Sequence, residues 1–345
     1  MQVGTMGLKA NRRWYGCWLW LLALLVVGCS GAPAAGESPG AHAEELSLPD
    51  LSAVDLGGEP LRVVATTSVI GNVVAQVGGE AIVLTTLLGP GQDSHSYQPA
   101  ARDLTAVAEA DVIFVNGWNL EEALIGDLTA IAGDTPLVPV SANIEPIVAP
   151  EGHEEAEHTE AEPEHAGADP HTWLDPHNVQ QWVDNIEQVL SQLDPANAAV
   201  YQANADAYHT QLDELLAKTE AQIATLPAEK RKLITNHDSL AYFARAYGFE
   251  VIGTVIPGIS TLAEPSASEL ASLARVMEAE GVCTIFAETT MSDQLARTVA
   301  AEVGSCDTVQ VLTLYTEALG AAGSGADSYL GMMRADVATI VTGLQ

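Results

Sequence analysis

The sequence from Asp194 to Leu226 reads DPANAAVYQANADAYHTQLDELLAKTEAQIATL, with no glycine and with no proline after Pro195. Its apolar side chains recur near helical spacing, at Val200, Tyr201, Tyr208, Leu212, Leu215, Leu216 and Ile223. Aspartate followed by proline is typical of a helix start, with Asp194 as the N-cap and Pro195 in the first turn. A helix of about 31 residues would be about 46 Å long. We expect this linking helix, residues 194–226, to join two domains as a rigid strut.

Short apolar strands alternate with helical stretches on both sides of this helix. The strand candidates are residues 61–67, 81–88, 111–116, 136–140, 232–236, 250–254, 283–287 and 308–312. The helical candidates are residues 69–78, 104–110, 238–246, 266–280 and 292–303. Such alternation predicts mainly parallel sheets with helices on their faces. We therefore predict an α/β fold with two lobes, over 61–193 and 227–345, and a cleft between them.

The composition supports two domains of ordinary size and excludes one class of partner. The chain has 345 residues, of which 48% are hydrophobic, enough for two cores. Its formal net charge is −33, from 46 acidic and 13 basic residues. A protein that binds nucleic acid needs a basic surface to meet phosphate. We predict no nucleic-acid partner and interpret the acidity mainly as a solvated surface.

The N-terminal residues have the organisation of a secretory signal. Three basic residues precede an apolar run that ends at Val27, too short a run for a comfortable transmembrane helix. The cysteine that follows resembles the acylated cysteine of bacterial lipoproteins. We predict a signal peptide over 1–28, a lipid anchor at Cys29 and a flexible tether over 29–60. The alternative is an unmodified cysteine after a signal sequence.

Residues 149–168 interrupt the α/β pattern with an acidic, low-complexity segment. It contains three histidines, His153, His158 and His165. It has no apolar face to bury, so we expect a mobile loop. Its histidines are interpreted as weak, auxiliary metal collectors; the alternative is a solvated linker with incidental histidines.

Two cysteines remain after Cys17 and Cys29 are assigned to the signal and the lipid site. Cys283 and Cys306 are an even pair in a chain that we expect to reach an oxidising compartment. Both precede strands that should be neighbours in the second lobe. We expect a disulfide between them; the alternative is two buried thiols.

Three histidines lie past strand ends or at a lobe boundary. His95 follows the second strand, His171 lies toward the end of the first lobe, and His237 follows the strand over 232–236. Ligands of open α/β sheets bind outside the carboxyl ends of the strands. Imidazole nitrogens suit zinc and neighbouring transition metals, whereas calcium and magnesium prefer oxygen. The pattern therefore indicates a transition-metal site in the cleft.

Several phrases then resemble the zinc/manganese family of solute-binding proteins that serve ABC transporters. The resemblance covers roughly residues 61–345. The phrases are QDSH ending at His95, DPHTWLDP over 169–176, HDS from His237, ISTLAEPS over 259–266 and LYTEALG over 314–320. Membership would imply two lobes joined by a rigid helix, with the metal site between them. It would also imply a monomer, lipid-anchored outside the cytoplasm, that delivers its metal to a membrane permease.

The resemblance also implies which side chains bind the metal. Carried over to this chain, the ligands are His95, His171, His237 and Glu317. Family members usually have proline where this chain has Ser94, and aspartate where it has Glu317. A histidine rather than a carboxylate at the third position resembles the zinc binders, so Zn²⁺ is expected ahead of Mn²⁺ or Fe²⁺.

Two other functions would use the same residues. A zinc hydrolase would keep an open coordination position beside three histidines, and a surface adhesin would use the metal structurally. Four protein ligands would close the site, so we predict a binding protein and not an enzyme. Glu121 and Glu122 are interpreted as solvated residues, with a position near the cleft as the alternative. His42, His177 and His209 are interpreted as surface residues.

Overall fold

The computed structural model describes residues 45–148 and 167–345. The first of its two sheets has four strands. The strands are β1 (Leu61–Ala65), β2 (Ile82–Thr86), β3 (Val112–Val115) and β4 (Leu137–Pro139), all parallel in the order β2-β1-β3-β4. The helices between them are α1 (Ser68–Gly78), α2 (Ala101–Ala108) and α3 (Ile125–Ala132). All four residues of β3 are buried, as expected for a parallel strand covered on both faces.

Two long helices follow this sheet. The first, α4 (Pro176–Leu193), is absent from the sequence prediction, although Asp175 caps it by accepting a hydrogen bond from the amide of His177. The second, α5 (Ala198–Ile223), has 26 residues and is about 39 Å long. It packs against α1, α4 and the C-terminal helix, so it is part of the core rather than a free strut.

The predicted start of the linking helix is wrong. Asp194 ends α4 instead of capping α5. Its carboxylate accepts hydrogen bonds from the side chains of Asn197, at 2.7 Å, and Tyr201, at 2.8 Å. These contacts hold the turn between the two helices, and α5 therefore begins at Ala198 and is shorter than predicted.

The second sheet repeats the architecture of the first. Its strands are β5 (Lys232–Thr235), β6 (Glu250–Thr254), β7 (Thr284–Glu288) and β8 (Gln310–Leu314), all parallel in the order β6-β5-β7-β8. The helices are α6 (Ala241–Tyr247), α7 (Ala267–Glu280), α8 (Gln294–Glu302) and α9 (Tyr329–Leu344), the last of which contacts α5 and α1. The two-lobed α/β fold predicted from the sequence is confirmed.

The packed part of the chain begins before the predicted first strand. The amide of Val54 donates to the carbonyl of Leu193 at 2.9 Å, and the amide of Asn143 donates to the carbonyl of Leu46 at 2.8 Å. Partly buried side chains of this segment lie against the main core: Leu46, Leu48, Leu51, Val54 and Leu56. From Glu45 onward, the stretch expected to be a tether therefore contacts the first lobe.

Several predictions fall outside the described residues. These are the signal peptide, Cys29, His42 and the acidic loop with His153, His158 and His165. Val148 and Ala168, which flank the loop, pair as an antiparallel bridge. No helix within 45–148 or 167–345 is both long and apolar enough to span a membrane.

The expected bond between Cys283 and Cys306 is present, with Cα atoms 5.9 Å apart. Cys283 directly precedes β7, and Cys306 precedes β8, the neighbouring strand. The carbonyl of Cys283 also accepts a hydrogen bond from the amide of Gln310 at 2.9 Å. The bond therefore joins the amino ends of two paired strands.

Replacing both cysteines with serine should lower the free energy of unfolding by about 3 kcal/mol. The reason is that the bond closes a loop with a sequence separation of 23 residues in the unfolded chain. Urea denaturation of the double variant and the parent would measure the loss. Two free thiols on the natively exported parent, found by alkylation and mass measurement, would contradict the prediction.

Candidate metal centre

Four buried side chains converge at the carboxyl ends of the two sheets. His95 lies in the turn after β2, His237 two residues after β5, and Glu317 three residues after β8. His171 follows no strand and directly precedes the short turn that leads into α4. The exposed fraction of each of the four residues is 2% or less. The sequence predicted side chains at the edge of a cleft, and in the structure all four are enclosed.

The separations between these side chains fit a single divalent ion. Nε2 of His171 lies 3.3 Å from Nε2 of His95 and 3.2 Å from Nε2 of His237. Oε1 of Glu317 lies 3.0 Å from Nε2 of His171 and 3.5 Å from Nε2 of His237. One donor atom from each residue falls within 4.8 Å of the others. In tetrahedral zinc sites, bonds of about 2.0–2.1 Å place neighbouring ligand atoms about 3.3 Å apart. The four separations given above, from 3.0 to 3.5 Å, lie on both sides of this value.

Each of the three histidines contacts a carboxylate through its other ring nitrogen. A carboxylate on Nδ1 favours the tautomer with its proton there and leaves the Nε2 lone pair free for a metal. Such contacts also fix the orientation of the ring. The pairs are His95 with Glu122 at 2.9 Å, His171 with Asp169 at 2.7 Å and His237 with Glu288 at 2.6 Å.

Opposed charges stabilise the cluster. Burial disfavours protonation of His171, but the carboxylates of Glu317 and Asp169 outweigh it and raise the pKa of His171 to about 9. Burial also disfavours protonation of His237, but the carboxylates of Glu288 and Glu317 outweigh it and raise the pKa of His237 well above its usual value. Burial also opposes ionisation of Glu317, but His171 and His237 hold its pKa well below the usual range. A dication that enters must therefore displace protons from His171 and His237.

The Glu317 segment is tied to the first lobe on both sides of the carboxylate. The indole of Trp173 donates to the carbonyl of Thr316 at 2.9 Å, and the amide of Leu319 donates to the hydroxyl of Ser68 at 3.0 Å. Trp173 lies two residues after His171, so the same short stretch carries a histidine and anchors the segment opposite. The position of Glu317 therefore depends on both lobes.

A sharp turn after β3 brings two glutamates to the site. Residues 117–119 all have positive φ, between 46° and 100°, which is unfavourable for the two that are not glycine. Glu121 is 1% exposed, accepts a hydrogen bond from the hydroxyl of Thr66 at 2.6 Å, and has a pKa raised by burial. Glu122 contacts His95. The interpretation of Glu121 as a solvated residue is wrong, because this turn directs it inward.

The structure brings together the four side chains implied by the family resemblance. Sequence reasoning missed Ser94, Asp169 and Glu288 as partners of these side chains. Glu288 ends a buried strand at the carboxyl edge of the sheet, a signal that could have identified it. His177 and His209 lie outside the cluster and pair with Asp175 and Asp184.

Comparisons with known proteins show which family the chain resembles in sequence and fold. The model of a family described as zinc-uptake complex component A, periplasmic, matches residues 63–343. The manganese-binding lipoprotein MntA of Halalkalibacterium halodurans is 32% identical over 324 residues, covering 94% of this chain and 96% of that protein. The manganese ABC transporter substrate-binding lipoprotein PsaA of Streptococcus mitis is 31% identical, covering 83% and 90%. The structure of the periplasmic zinc-binding protein TroA of Treponema pallidum superposes with a TM-score of 0.74 at 31% identity, covering 83% and 99%.

Proposed function

Because the chain belongs to the zinc-uptake complex component A family, the metal-binding components of ABC uptake transporters, we propose that its physiological cargo is zinc. The protein captures the ion outside the cytoplasm with high affinity and delivers it to the transporter's membrane permease. Its ligands are His95, His171, His237 and Glu317. It acts as a binding protein and not as an enzyme.

One observation carries the proposal: three imidazole nitrogens and one carboxylate oxygen lie at separations suited to a tetrahedral ion. The site is buried, so bulk water does not compete for its donors. A donor set rich in nitrogen favours zinc over manganese, whose preferred ligands are oxygens. Glu317 lies where a hydrolase would need an open position for water, which speaks against catalysis.

The N-terminal sequence supports a lipid anchor at Cys29 and attachment to the outer side of a bacterial membrane. Related proteins carry the name lipoprotein. A diffusing soluble protein would dilute its cargo, whereas an anchored monomer stays close to the permease. The acidic surface of the chain raises the local concentration of cations around it.

A competition titration tests the proposed cargo. Metal-free protein is loaded with one equivalent of manganese and then titrated with zinc. We expect one equivalent of zinc to displace the manganese completely. Retention of manganese against equimolar zinc would overturn the assignment. Delivery is tested by comparing zinc uptake in cells with and without the cognate permease. We expect uptake to fall without the permease, whereas a structural metal in an adhesin would leave uptake unchanged.

Deleting residues 152–166 should leave one tight zinc site and remove additional weak zinc sites. The four proposed ligands all lie outside this segment, and its flanks at Val148 and Ala168 are already paired, so a shortened connection can bridge them. Calorimetric titration of the deletion variant and the parent would separate the tight from the weak phase.

The matched control for this deletion keeps the length of the loop. Replacing His153, His158 and His165 together with alanine should remove the weak sites as completely as the deletion does. Loss of the tight site in either variant would make a loop histidine a true ligand.

A further inference from the structure

The two carboxylate oxygens of Glu317 have different surroundings. Oε1 faces the Nε2 atoms of His171 and His237, at 3.0 Å and 3.5 Å. Oε2 instead accepts a hydrogen bond from the hydroxyl of Ser94. Ser94 is 1% exposed and Glu317 is 2% exposed, so bulk water does not compete for the contact.

The backbone turn before His95 fixes the position of this hydroxyl. Ser94 directly precedes His95, whose amide donates to the carboxylate of Asp93 at 3.1 Å. The same carboxylate accepts a hydrogen bond from the hydroxyl of Thr261, in the second lobe, at 2.9 Å. The turn is thus held from both lobes, and Ser94 approaches Glu317 from a fixed direction.

A carboxylate can bind a metal ion through one oxygen or through both. The hydroxyl of Ser94 occupies Oε2 and leaves only Oε1 directed at the three histidines. One oxygen and three nitrogens make four ligands, the number that tetrahedral zinc accepts. Manganese prefers six ligands that are mostly oxygen, so the loss of a second carboxylate oxygen disfavours it more.

Building on the proposed function, we infer that Ser94 is a positioning residue that keeps Glu317 monodentate and thereby sets the preference of this site for zinc over manganese. Ser94 contacts no metal itself and acts through the carboxylate. The flexible side chain of glutamate makes this restraint necessary, because without it Oε2 is free to rotate toward the ion.

The test compares the parent with Ser94→Ala and Ser94→Thr, using zinc and manganese affinities and the visible spectrum of the cobalt(II) form. Ser94→Ala should weaken zinc binding about 10- to 100-fold, weaken manganese binding less, and so lower the ratio of the two affinities. Its cobalt spectrum should lose the intense absorption of a four-coordinate ion. Ser94→Thr, which keeps the hydroxyl, should restore both properties. Ser96→Ala is the matched control, because Ser96 lies in the same turn and its hydroxyl contacts Asp93 instead of Glu317.

An unchanged affinity ratio and an unchanged cobalt spectrum in Ser94→Ala would overturn the inference and leave the proposed function standing. The parent supplies a second test that needs no variant, since a five- or six-coordinate cobalt spectrum would also overturn it. Absence of tight zinc binding by the parent would instead refute the proposed function, and the inference with it.

Discussion

His171→Ala is expected to abolish high-affinity metal binding while the two lobes stay folded. Nε2 of His171 lies 3.0–3.3 Å from donor atoms of His95, His237 and Glu317, so this ring touches every other proposed ligand. If four ligands share about 10–16 kcal/mol of binding free energy, loss of one costs about 3 kcal/mol or more. That corresponds to a hundredfold or greater loss of affinity, at about 1.4 kcal/mol for each factor of ten.

The fold should tolerate this change because the substitution removes a polar ring and leaves the side chains of the hydrophobic core in place. Asp169, its partner, still accepts a hydrogen bond from the backbone amide of residue 171. Calorimetric zinc titration and circular dichroism of the same sample would separate loss of binding from loss of structure. His177→Ala is the matched control, since its side chain is 56% exposed and pairs with Asp175 outside the cluster. Zinc binding by His171→Ala as tight as in the parent would remove His171 from the site.

The strands could be predicted because parallel strands covered on both faces are continuous apolar runs. Each of the eight strands overlaps a predicted one, and their carboxyl ends correctly placed His95 and His237. The helix α4 was also predictable in principle, because its buried side chains keep strict helical spacing. They are Val179, Trp182, Val183, Ile186, Val189, Leu190 and Leu193. The same holds for α9, with buried residues that include Tyr329, Met332, Met333, Val337, Ile340 and Val341.

Local sequence patterns could not predict the start of α5 or the contact between Ser94 and Glu317. Asp194 followed by proline has the chemistry of a helix start, but contacts with Asn197 and Tyr201 make it the end of the preceding helix. Ser94 and Glu317 are separated by 223 residues, and their hydrogen bond exists only because the two lobes meet. Periodicity reports which face of an element is buried, and it does not report which distant side chain lies opposite.

The second large effect is expected at Glu317. Glu317→Gln keeps the size of the side chain and can still accept a hydrogen bond from Ser94, but it removes the negative charge. Without Glu317 the buried dication has no negatively charged ligand, and removing one partner of a buried charge pair costs about 3 kcal/mol or more. We therefore expect zinc affinity to fall about a hundredfold or more, measured by competition with a chromophoric chelator. The metal-free protein should lose less stability, measured from its unfolding midpoint, than the site loses in zinc-binding free energy, because the hydrophobic core is untouched.

Glu317→Asp separates charge from reach. Aspartate keeps the negative charge but is shorter by one methylene, so it cannot contact both Ser94 and the three histidines from the same backbone position. Zinc should still bind, and the ratio of zinc to manganese affinity should fall, as in Ser94→Ala. Unchanged zinc affinity in Glu317→Gln would instead remove Glu317 from the set of ligands. It would leave three histidines with water in the fourth position, and a hydrolytic function would then become the stronger hypothesis.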